Sequence, residues 1–115
     1  IKIDRIQIQQ ALINLITNSF EALQISNTEK PLISIATHHT SSKYIGIDII
    51  DNGPGFSAEL INEIFKPYFT TKQNGIGIGL AICKTIIQAH GGKLNAELPE
   101  QGGAYFKIIL PIKDW

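Results

Sequence analysis

The sequence predicts a two-layer α/β sandwich, a mixed β-sheet covered by α-helices, in one domain spanning residues 1–115. Three observations lead there. Helical and strand periodicities succeed one another in the order helix, two strands, short helix, irregular stretch, helix, two strands. Isoleucine occupies 23 of the 115 positions, and its stiff, β-branched side chain favours sheets and tightly packed interiors. The chain is 43% hydrophobic and 17% charged, so its 115 residues can build one core without disulfide staples.

The same numbers exclude several classes. Ten basic and ten acidic residues give a net charge of zero. No Lys/Arg cluster exceeds a pair, so the footprint of nucleic-acid binding is missing. No apolar run approaches the roughly 18 residues of a membrane span, and no signal-peptide pattern opens the chain, so no membrane contact is expected of it. The single Cys83 has no internal disulfide partner, which fits a reducing, cytoplasmic setting. The chain opens on Ile1 within a helical pattern, as expected of a fragment of something longer.

Residues 4–24 form the first expected helix, capped by Asp4, with Ile8, Leu12, Leu15, Ile16 and Leu23 on one side. "SNTEKP" supplies its stop. "LISIATHH" and "KYIGIDIID" are two strands joined by the turn "HTSS". Their loop "NGPGF" leads to Ser57, the expected cap of a short helix "AELINEIF". From Lys66 to Gly79 the pattern dissolves, and long irregular segments in compact domains are usually functional. "LAICKTIIQAH" is helical, with Leu80, Cys83, Ile86, Ile87 and His90 on one face, and Gly91-Gly92 ends it. "KLNAEL" and "AYFKIILPI" are the closing strands.

Three stretches carry chemistry. In "YIGIDIID", alternation puts Ile45, Ile47, Ile49 and Asp51 on one face. If that face is the core face, Asp51 points inward, where a carboxylate needs hydrogen-bond donors. The exocyclic amino group of adenine is one such donor, and Gly53 and Gly55 allow backbone and ligand to approach closely. On the first helix Asn14, Asn18 and Glu21, spaced i, i+4, i+7, make a polar stripe beside the apolar one. A solvated face and a hard-cation site, with an amide oxygen as one Mg²⁺ ligand, both remain open there. Third, "GIGIGLAICK" runs Gly75, Gly77 and Gly79 into a helix, where backbone N–H groups and the helix dipole favour anions. Leu80 breaks a dinucleotide fingerprint, and "GGKL" lacks the hydroxyl of a P-loop.

Together these stretches resemble the catalytic, ATP-binding domain of bacterial sensor histidine kinases, within the superfamily of gyrase, HSP90 and MutL and its Bergerat (GHKL) fold. "NLITNSFEAL" is similar to the family's N box, "DNGPGF" to its first glycine box, "IFKPYFTTK" to its F box and "GIGIGLAICK" to its second glycine box. Glu21 with "FTTK" is closest to the nitrogen-regulation and oxygen-sensing kinases. The resemblance implies ATP with Mg²⁺ as ligands. It assigns Asp51 to the adenine amino group, Gly53 and Gly55 to the adenine pocket, and Asn18 to Mg²⁺, with Asn14 and Glu21 beside it in the catalytic stripe. Gly75, Gly77, Gly79 and Leu80 fall to the triphosphate side. A lid spans roughly residues 66–75, with Lys72 as a phosphate contact and Phe65 and Phe69 anchoring its base.

Two departures accompany it. Ile76 stands where the family usually has Ser or Thr, and Glu21 where many members have Lys or His. ATP-hydrolysing relatives place a general-base Glu at the position of Asn14, so the resemblance implies phosphoryl transfer over hydrolysis. His38, His39 and His90 do not match the family's acceptor box. The implied acceptor is a histidine on the protein's own dimerisation hairpin, absent from this stretch, with a response regulator downstream and the isolated domain a monomer. The resemblance leaves open a membrane-anchored parent around this cytoplasmic domain. A non-catalytic nucleotide-binding regulator, a GHKL-type ATPase and a serine kinase are the alternatives.

Overall fold

The computed structural model describes residues 4–61, 63–66, 79–100 and 102–112. Helix α1 (Arg5–Ile25) starts where Asp4 accepts a hydrogen bond from the Gln7 N–H, satisfying one orphan donor of the first turn. It stops at Asn27, which has φ 53°. The Asn27 and Thr28 N–H groups return to the Gln24 and Leu23 carbonyls, a Schellman closure with Asn in the usual glycine position. Helix α2 (Gly79–Ala89) ends in the same way at Gly91, φ 77°, with Gly91 N–H on Gln88 O and Gly92 N–H on Ile87 O.

The four strands are β1 (Ile33–Ser41), β2 (Tyr44–Asp51), β3 (Lys93–Glu97) and β4 (Ala104–Pro111), in the spatial order β1-β2-β4-β3. The two-layer sandwich is as the sequence predicts, but the sheet is not mixed: every pairing among the described residues is antiparallel. The β2-α2-β3 connection does return its strand parallel to β2. However, β4 comes back antiparallel to β3 and inserts between the two, so the parallel strands never touch. The turn after β1 is also tighter than expected, with strand pairing as far as Ser41↔Tyr44 and a register shift between His39 and Ser41. His38 and His39 therefore lie within β1, not at its end.

Register explains the core. β4 alternates strictly, with Ala104, Phe106, Ile108 and Leu110 buried. Opposite them on β2 stand Asp51, Ile49, Ile47 and Ile45, so the inward parity of Asp51 is real. Ile8, Ala11 and Leu15 of α1 and Cys83, Ile86 and Ile87 of α2 close over this face. Instead of the short helix expected after Ser57, successive turns bond Leu60 to Ser57, Glu63 to Leu60 and Lys66 to Glu63. Ser57 Oγ still accepts from the Leu60 N–H. This stretch delivers Ile64, 1% exposed, and Phe65 to the core, where Phe65 and Phe56 both meet Phe106 edge-on at 6.3 and 6.5 Å.

Candidate functional site

The site is built at the end of β2. Asp51 is 5% exposed, and its Oδ1 accepts the Gly53 N–H at 2.9 Å. The turn this makes is compact because glycine fills it. A Cβ on Gly53 would lie 3.1 Å from Asp51 Oδ1 and 3.2 Å from Leu23 Cδ2 of α1. The carboxylate thus sits between its own turn and α1. Gly55 has φ 66°, and a Cβ there would strike the Gly103 carbonyl oxygen. Gly103, φ 89°, would in turn strike the Asp51 carbonyl oxygen. Loops 52–55 and 102–103 therefore stack backbone to backbone, and only glycine permits that approach in a left-handed conformation.

Asn52 supplies the other wall. Its Oδ1 accepts from Leu32 N–H at 2.8 Å and its Nδ2 donates to Lys30 O at 3.0 Å, while its own N–H reaches Leu32 O. Three hydrogen bonds clasp the loop between α1 and β1 to the end of β2. This residue and Gly103 were missed from sequence. The Asn of "DNG" reads as an ordinary turn residue, and the partner of Gly55 is far away in the chain.

The polar stripe on α1 is present as expected: Asn14, Asn18 and Glu21 are all half-buried, and both Asn18 and Glu21 are engaged by neighbours. Packing joins this stripe to the start of α2. The Cys83 thiol donates to Ala11 O at 3.3 Å and is hydrogen-bonded by the Asn14 side chain. Gly79 and Leu80 open α2 one turn before Cys83. Burial pushes the Cys83 thiol up to about 11, against the smaller opposing pull of the Asn14 bond and a backbone bond, so the group is a neutral packing element. Lys84 Nζ lies 4.8 Å over the Phe65 ring, holding α2 to the segment that precedes the expected lid. Lys72, Gly75, Gly77, Phe69 and Ile76 lie outside the described residues, as does most of that lid.

A buried acceptor at a glycine-lined strand end, with an amide-bearing helix on one side, can take a ligand that presents a hydrogen-bond donor. A profile of the histidine kinase-, DNA gyrase B- and HSP90-like ATPases matches residues 3–114. The chain belongs to this family. Among similar proteins, the sensor protein FixL of Bradyrhizobium diazoefficiens is 39% identical over 96% of this chain and 22% of its own length. A NtrY-like sensor histidine kinase of Rickettsia bellii is 42% identical over 96% of this chain and 18% of its own. The chain thus spans about a fifth of these relatives. The catalytic domain of histidine kinase ThkA superposes with a TM-score of 0.82 at 38% identity, over 96% of this chain and 70% of that one. A second ThkA structure, in complex with the response regulator TrrA, gives a TM-score of 0.77 at 35% identity over 96% and 30%. These solved structures are of a histidine kinase and its catalytic domain. No helix among the described residues is long and apolar enough to cross a membrane.

Proposed function

We propose that this domain binds Mg²⁺-ATP and donates the γ-phosphoryl group to a histidine on a dimerisation hairpin of the same protein, for onward passage to a response regulator. The observation that carries it is Asp51: a carboxylate held at 5% exposure, given one backbone N–H and facing a glycine cradle. Its remaining acceptor capacity matches the amino group of adenine. The Mg²⁺ requirement fits the residues present. Asn18, half-buried on α1 between Asn14 and Glu21, carries an amide oxygen of the kind that joins phosphates and water around the ion. When bound, the ion neutralises charge on the phosphates.

The chain's own residues do the rest. Asp51 orients the base, the α1 stripe of Asn14, Asn18 and Glu21 faces the phosphates, and Gly79 and Leu80 open α2 with their N–H groups toward the anion. Lys72, Gly75 and Gly77 complete the phosphate contacts. Asn14 cannot take a proton from water, so hydrolysis stays slow and the phosphoryl group is saved for its acceptor. Support comes from the sensor histidine kinases among the relatives and from the ThkA–TrrA complex.

The test is calorimetric titration with Mg²⁺-ADP. Micromolar binding, about −8 kcal/mol, is expected for the natural chain. Asp51→Asn, which turns one acceptor oxygen into a donor facing the amino group, should weaken it at least about tenfold. Absence of nucleotide binding by the natural chain would sink the proposal. Binding without phosphate transfer to an added hairpin domain would leave a nucleotide-sensing regulator instead.

A further inference from the structure

Cys83 joins α2 to the polar stripe of α1 by two bonds. Its side chain is fully buried, and the thiol donates to the Ala11 carbonyl oxygen at 3.3 Å. The Asn14 side chain is hydrogen-bonded to the same sulphur. Ala11 and Asn14 are three residues apart and therefore neighbours on one flank of the helix. Helical side chains lean back toward the N-terminus, which carries the Asn14 amide over the turn that holds Ala11. One atom of α2 thus grips both the backbone of α1 and a side chain projecting from it.

Proton accounting fixes which way that amide is turned. A thiol owns a single proton, and here it is committed to Ala11 O. Toward Asn14 the sulphur can only accept. The amide meets it with Nδ2, its donor, and the carbonyl oxygen Oδ1 is turned the other way. Asn14 is half-buried, whereas Cys83 has no exposed surface. The amino end is therefore the inward one, and Oδ1 is the end nearer to solvent. An apolar side chain of similar volume in place of Cys83 would pack as well but would leave the amide free to turn over.

We infer that Cys83 is a positioning residue for the nucleotide site, holding the Asn14 amide so that it offers an oxygen, and not an N–H, to the bound ligand. This rests on the nucleotide reading above, which places Asn14 in the catalytic stripe, and adds the group that orients it. An amide free to turn would present each end part of the time and would have to be ordered when the ligand arrives. The buried thiol orders it beforehand.

The experiment titrates Mg²⁺-ADP calorimetrically into the natural chain, Asp51→Asn, Cys83→Ser, Cys83→Val and Cys83→Ala. The three Cys83 substitutions are repeated in a chain carrying Asn14→Ala. Exchange of the Asn14 side-chain amide protons with water is followed by NMR without nucleotide. Serine keeps a donor and an acceptor, whereas valine and alanine keep neither. Valine adds volume and alanine removes it, so an effect common to both is not one of fit. Cys83→Val and Cys83→Ala should each weaken ADP binding about threefold to fivefold, as the loss of one modest hydrogen bond does, and should speed Asn14 amide exchange. Cys83→Ser should do neither. With Asn14→Ala in place, the Cys83 substitutions should no longer alter ADP affinity. Equal losses with and without Asn14 would make the sulphur a packing group and overturn the inference. So would natural affinity in Cys83→Val and Cys83→Ala, or in Asn14→Ala, while Asp51→Asn still weakens binding; the nucleotide reading would then stand without it. If the natural chain binds no ADP, both fall together.

Discussion

Cys83 illustrates how one buried group sets a pH dependence. The side chain is fully buried, bonded to Ala11 O and Asn14, and held up to about 11 from 9.0 chiefly by burial. Below about pH 9 folded and unfolded chains both keep the proton, and its contribution to stability is complete. Between about pH 9 and 11 the unfolded thiol ionises while the folded one does not, so the unfolded state binds fewer protons and stability falls as pH rises. The full loss amounts to roughly 2–3 kcal/mol. Cys83→Ala lacks this term, although it loses the thiol's packing at every pH. The stability gap between natural and variant chains, from urea melts at pH 8 and pH 10.5, should narrow by at least about 1 kcal/mol. Tyr105, pushed up to about 12 by burial and by Asp48, is common to both chains and cancels. A constant gap would mean that the thiol ionises normally.

The glycine pair that opens β4 separates two costs at the level of an element. Gly102 has φ 96° and open space around it, whereas Gly103 has φ 89° and a Cβ there would strike the Asp51 backbone. Alanine at 102 should therefore cost only the conformational term, about 1 kcal/mol. At 103 the same change must also push β2 and β4 apart beside Asp51, and should cost at least about 3 kcal/mol and weaken nucleotide binding. Equal losses in urea melts would show that the two loops separate without strain. This pair also marks what the sequence could reveal. Asp51 was legible because strand parity is local and strict, and the helix ends because Asp4, Asn27 and Gly91 act on neighbouring residues. The clasp of Asn52 on the loop before β1, the Gly55–Gly103 contact and the Cys83–Asn14 bond were not, since each exists only after distant segments meet. The antiparallel sheet was missed for the same reason: periodicity identifies strands but not which strand inserts between two others.

At the scale of the whole molecule, cover is unequal across the sheet. β2 and β4 are paired on both sides and lie beneath α1 and α2, while β1 is an edge strand with every residue after Ile33 exposed. Along its outer side β1 pairs with no other strand among the described residues, and it holds neither proline nor lysine to blunt that edge. One cross-strand network ties it down on the outer face of the sheet. His38 Nε2 meets Asp48 Oδ2 at 3.0 Å, and the Tyr105 hydroxyl donates to Asp48 Oδ1 at 2.7 Å, linking β1, β2 and β4. At the opposite corner the chain entering α1 is pinned to the end of α2. There His90 Nε2 accepts the Asp4 N–H at 3.0 Å and Nδ1 faces Ile86 O at 2.8 Å, so Nδ1 carries the proton. Local opening should follow this gradient, because exchange free energies fall where few buried contacts hold an element. Amide hydrogen exchange should be slowest in β2 and β4, reporting global unfolding, and β1 should open at lower free energy. Asp48→Asn, which cancels the charge facing His38 but keeps the shape, should accelerate exchange in β1 more than in β4. If β1 instead exchanges as slowly as β4 in the isolated chain, its edge is covered in solution. Sedimentation would then have to show a second copy paired along it.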